Sequence, residues 1–145
     1  LVETIRHEDV LLAIIVRSSF REPGVHFFTP PAFSQQLGFM RHPAGKSIPP
    51  HVHNEVRREV RATQEVLFVR SGRLRVDFYD ERQEYVDSRY LGAGDVILLV
   101  RGGHGFEVLE EVEMIEVKQG PYSGDNDKRL LGEVAPRRIV AKTKR

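Results

Sequence analysis

From Glu65 onward the chain is a series of short β-branched and aromatic runs, each cut off by glycine or aspartate. This punctuation constrains the fold more than any other feature. Arg73–Tyr79 (RLRVDFY) alternates strictly, with Leu74, Val76 and Phe78 on one face and Arg73, Arg75 and Asp77 on the other. Glu65–Arg70 (EVLFVR) precedes it across Ser71-Gly72, which predicts a hairpin of two half-buried strands turning at Gly72. After a turn at 80–84 come Tyr85–Leu91, a tight Gly92-Ala93-Gly94-Asp95 turn and Val96–Val100. A Gly102-Gly103 break, Gly105–Leu109 and Val112–Lys118 complete the series. Upstream, Asp9–Arg17 (DVLLAIIVR) is apolar without alternation and predicts a strand buried on both faces. The proline-rich Glu22–Pro31 reads as loop or edge, and Gln36–His42 as a short strand. Only Asn54–Thr63 has helical composition. The expectation is an all-β barrel or sandwich.

At 145 residues, 40% hydrophobic and 30% charged, the chain has the size and composition of one folded domain rather than a disordered segment. No run of eighteen apolar residues exists to span a membrane, and Val10–Val16 lacks a cleavage site behind it. Leu1 rather than methionine stands first, so a trimmed start is expected. The absence of cysteine excludes disulfides and thiolate metal sites and fits a cytoplasmic protein. The net charge of +1 conceals a split. Arg137, Arg138, Lys142, Lys144 and Arg145 follow the last acid, Glu133, leaving 17 bases against 21 acids, a net of −4, in the rest. We therefore expect a single domain over 1–133 with a basic tail at 134–145. An acidic body argues against nucleic acid as the partner.

Among six histidines, His51-Val52-His53 is the informative pair. Residues two apart on extended backbone project from the same face, so two imidazoles aim at one point and supply half a first-row metal shell. Glu65 is in phase with Leu67 and Val69, and His104 with Phe106 and Val108. A carboxylate and an imidazole on otherwise apolar strand faces call for polar partners, and a shared site answers that need.

The strings Gly45-x5-His51-x-His53 and Glu65-x6-Gly72 resemble the first motif of the cupin superfamily, and Gly94-Asp95 through His104 is similar to the second. The resemblance spans about 45–117. It implies a cupin-type double-stranded β-helix, a jelly-roll barrel, with His51, His53, Glu65 and His104 ligating one divalent metal inside it. Two departures stand out. Eleven residues, 54–64, separate His53 from Glu65 where the family has three or four, which predicts a short helical or irregular insertion. The segment Val100–His104 lacks the family's proline and is one residue short.

Three imidazoles and one carboxylate suit Mn, Fe, Ni, Co or Zn, and spacing does not choose among them. The resemblance implies a small metal-dependent enzyme acting on a polar small molecule, such as a sugar or a keto or hydroxy acid. One alternative is a metal-independent isomerase or epimerase of nucleotide-linked sugars, with His51 or His53 as base. Another is a non-catalytic cupin that binds a small ligand. Arg57 and Arg75 are candidate anion contacts, because guanidinium forks suit phosphate or carboxylate. Lys118 is a third, at the mouth of the polar loop 118–128. A homodimer is expected, with Val10–Val16 as the candidate contact.

Overall fold

A computed structural model describes residues 1–131; the basic tail at 134–145 lies outside the described residues. The protein is all-β, with eight strands and a single 3₁₀ turn at Gly124–Asn126 among the described residues. No helix among them is long and apolar enough to cross a membrane. The chain divides into two compact units, one formed by residues 1–20 and 62 onward, the other by residues 21–61.

The larger unit is a six-stranded antiparallel sheet, strongly curled into a half-barrel. Its strands are β1 (Val2–His7), β2 (Val10–Val16), β5 (Glu65–Tyr79), β6 (Tyr85–Gly92), β7 (Val96–Leu99) and β8 (Gly103–Lys118). β1 pairs with β2 and β2 with β7. β5 is the spine. β7 takes one of its edges at Glu65–Phe68 and β6 takes the same edge at Arg73–Tyr79, while β8 lines the other edge along its length. The outer edge of β8 has no strand partner among the described residues.

The hairpin expected at Gly72 does not form; β5 runs through it as one strand of 15 residues. Gly72 has φ +80°, and a Cβ there would lie 1.9 Å from the Glu111 carbonyl oxygen. The glycine therefore admits both a left-handed residue and the close approach of β8. Three register shifts between Val69 and Leu74 accompany it. Such irregularities bend a strand and sharpen its twist without reversing it. The break expected between Leu109 and Val112 is likewise absent, because β8 is continuous from Gly103 to Lys118.

Alternation then decides what is buried. Leu67, Val69, Leu74, Val76 and Phe78 of β5 join Ile5, Ala13, Ile15, Leu91, Ile97 and Leu99 in one apolar core. In β2 the opposite face is closed too: Ile14 and its register partner Leu98 are as buried as Ile15 and its partner Ile97. Ala13–Val16 is thus covered on both faces and paired on both edges, while Val10 and Leu11 are only half-buried.

Asp95 fixes the junction of β6 and β7. Its carboxylate accepts from the backbone N–H of Gly92 and Ser18 and from the Arg17 guanidinium, at 3.0, 2.8 and 2.9 Å. Arg17 also donates to Glu3, which receives Arg89 as well. Burial works against the Glu3 charge, yet the two guanidiniums outweigh it and hold the carboxyl below its ordinary range.

The smaller unit carries the antiparallel pair β3 (Gly24–Phe27) and β4 (Gly38–Arg41). Gln36 closes the intervening loop by donating to the carbonyls of Pro30 and Phe33 at 3.0 and 2.9 Å. No helix forms over Asn54–Thr63. Its two valines, Val56 and Val60, are both exposed. A segment this short gains helical stability mainly from burying an apolar stripe, which is missing here.

Candidate functional site

Glu65 opens β5 on the same face as Leu67 and Val69, and its side chain is only 16% exposed. His104 is the second residue of β8, opposite Phe78, while Glu65 itself is opposite Lys118. The two thus sit at opposite ends of one strand pair. Nevertheless His104 Nε2 lies 3.0 Å from Glu65 Oε2. A straight strand of 15 residues would separate its ends by about 45 Å. The contact therefore depends on the curl at Ser71-Gly72, which turns both ends of the ladder toward the same interior.

The hydrogen bond with His104 holds the Glu65 carboxyl below its ordinary range, against the opposing effect of burial. Lys118 adds a cation 4.0 Å from Glu65 Oε1. Its ammonium is steadied by Asp127 Oδ2 at 2.9 Å, which raises the lysine above its usual value. Three of the residues singled out in the sequence, Glu65, His104 and Lys118, are thus brought together. Asp127 belongs to the same cluster and was missed. Its signal was the acidic Asp125-Asn126-Asp127 run, too short for a calcium loop but well placed to pair with a lysine at the strand exit.

His51 and His53 lie in the smaller unit on irregular chain, with ring centroids 5.2 Å apart at 76°. His51 Nδ1 is 3.0 Å from the Pro49 carbonyl. A carbonyl only accepts, so Nδ1 is the donor of this hydrogen bond. Within neither unit do three His, Asp or Glu side chains gather into a group that would hold a metal ion by itself, among the described residues.

The other candidates are placed differently. Arg57 is exposed. Arg75 is only 15% exposed and grips both oxygens of Asp77, at 2.8 and 3.0 Å, with Glu107 at 2.6 Å. Asp77 also accepts from Ser88 Oγ, which meets the Tyr85 hydroxyl at 2.9 Å. The Arg75 fork is therefore engaged inside the protein and serves to neutralise a buried aspartate.

Glu65 and His104 contribute one carboxylate and one imidazole, two donors of the kinds that first-row ions take. Their 3.0 Å separation is that of an ordinary hydrogen bond. The same pair without metal is a carboxylate orienting an imidazole, the arrangement of a general acid–base dyad. Compared with known proteins, the chain matches no family model, no curated protein and no solved structure.

Proposed function

We propose that this protein is a small cupin-type enzyme that uses a divalent metal held by histidine and carboxylate to act on a polar small molecule, a sugar or a keto or hydroxy acid. The observation that carries this reading is the 3.0 Å approach of Glu65 and His104 on the inner face of the half-barrel. His51 and His53 are the remaining donors on the strength of the sequence resemblance. A bound divalent ion would supply Lewis acidity toward a carbonyl or hydroxyl oxygen. Glu65 and His104 hold their donor atoms in place, and Lys118 offers a positive charge beside them.

Metal analysis of protein purified without a histidine tag tests the reading. The expected result is about one divalent ion per chain, lost in both Glu65→Gln and His53→Ala. Equal, negligible metal in all three proteins overturns it.

A second reading rests on the same pair. The Glu65–His104 hydrogen bond makes a metal-free acid–base dyad suited to isomerising a nucleotide-linked sugar. Thermal-shift screening with sugar nucleotides and small organic acids, before and after chelation, separates the two. A ligand-dependent shift that survives chelation favours the dyad, and one that vanishes favours the metal.

A further inference from the structure

The segment that leaves β8, residues 119–131, touches the residue before each member of the Glu65–His104 pair. At its start the Gln119 N–H donates to the carbonyl of Gln64 at 2.9 Å. At its far end a Cβ placed on Gly103 would meet Leu131 Cδ1 at 2.6 Å, so Leu131 lies against Gly103. Gln64 precedes Glu65, and Gly103 precedes His104.

Between these points the segment is latched a second time. In the 3₁₀ turn at Gly124–Asn126 the Asp127 N–H donates to the Gly124 carbonyl at 3.0 Å. The chain thereby doubles back, and the Asp127 carboxylate accepts from the Lys118 ammonium at 2.9 Å. The Asp127 side chain is only 11% exposed. Four residues later Leu130 points to water, while Leu131 is the half-buried one.

Lys118 and Gly103 are the last and first residues of β8. Laid straight, a strand of 16 residues would hold its ends about 50 Å apart. Here only residues 128–131 lead from Asp127, latched to one end, to Leu131, seated at the other. Four residues reach at most about 14 Å. The bend at Ser71-Gly72 lets the two ends of the ladder approach, but a bend does not fix how closely. A slip of one end by a single residue, about 3.3 Å, would break the 3.0 Å contact between Glu65 and His104. A short tie between the ends prevents that slip, and its anchors lie next to the two donor groups.

We infer that residues 119–131 form a clasp across the two ends of β8, and that Asp127 and Leu131 are positioning residues which hold Glu65 and His104 against each other. The inference rests on the reading of that pair as the working site, and it makes the exit segment part of the site. Opening the latch at Asp127 would part the two groups without unfolding the sheet.

The proton between His104 Nε2 and Glu65 reports the closure directly. In isotope-labelled full-length protein after chelation, the His104 imidazole N–H should give a magnetic resonance signal protected from water, identified by its loss in His104→Asn. Asp127→Asn should exchange that proton about tenfold or more faster. Leu131→Ala, at the other anchor, should do likewise, and it holds the test open if Asp127→Asn fails to fold. Asp127→Glu, which keeps the charge, should retain the protection. Asp125→Asn removes an exposed charge from the same turn and should change nothing. Equal exchange in the unaltered chain, Asp127→Asn and Leu131→Ala overturns the inference. An equal loss of protection in Asp125→Asn also overturns it, because net charge rather than the latch would then decide. Since metal is removed throughout, failure of the metal reading leaves this result standing.

Discussion

Glu65 and His104 stand 39 residues apart in the chain and at opposite ends of the β5–β8 ladder, yet share a hydrogen bond of 3.0 Å. Because the contact closes across the curl of the sheet, it reports on that curl. A double-mutant cycle with Glu65→Gln and His104→Asn should give a coupling of about 0.5–2 kcal/mol in urea denaturation. Additive single losses would show that the pair does not interact in solution.

Gly72 is the position on which that curl depends. Gly72→Ala places a methyl group against the Glu111 carbonyl and forces a left-handed residue, so a loss of about 3 kcal/mol or more is expected. Gly92→Ala is the control, since a Cβ there meets nothing within 4 Å. Comparable midpoints for the two variants would contradict the close approach at Gly72.

The strand β2 offers a test of burial on two faces. Ile14→Ala and Ile15→Ala point to opposite sides of the sheet, and both residues are essentially inaccessible. Each should cost about 2–5 kcal/mol. A near-neutral Ile14→Ala would mean that the second face is open in solution.

Acid stability should depend on Glu3. Its carboxyl is depressed in the folded protein by Arg17 and Arg89, so its contribution is present above the ordinary carboxylate value of 4.5 and fades as pH falls through the lower folded value. Glu3→Gln should cost on the order of 2 kcal/mol at pH 7. It should also flatten the decline in stability below pH 4.5. An unchanged slope of unfolding free energy against pH in the variant would contradict this.

How much was legible in the sequence depended on the range of the interaction that decided each feature. The inward phase of Glu65 with Leu67 and Val69, and of Leu74 with Val76 and Phe78, follows from alternation between neighbours, and the structure has it. The continuity of β5 did not follow. A positive-φ glycine serves a turn and a bulge equally well, and the choice at Gly72 was made by β8, which passes within reach of it. Strand β1 escaped notice because only Ile5 is buried in it, so no alternation marks it. The engagement of Arg75 was hidden for the opposite reason. Its partner Asp77 is two residues away and on the same face, but an exposed alternating pair and a buried one read alike in sequence. The Lys118–Asp127 pair was within view, nine residues apart, yet only the path of the exit loop brings the two together.

The position of β5 as spine has a consequence for the order of events during synthesis. Glu65 is matched to Leu99 on one side and to Lys118 on the other, 34 and 53 residues later in the chain. While the protein is being made, β1 and β2 can pair early, but the apolar residues of β5 must wait for β6, β7 and finally β8. Such long-range pairings form slowly, since loop closure precedes any gain from contact. Leu74, Val76 and Phe78 lack their β8 partners until residues 104–108 have emerged, and Leu67 and Val69 lack theirs until residues 114–116 have. The interval between the making of β5 and the arrival of β8 is therefore the period in which this protein is most prone to misassociation.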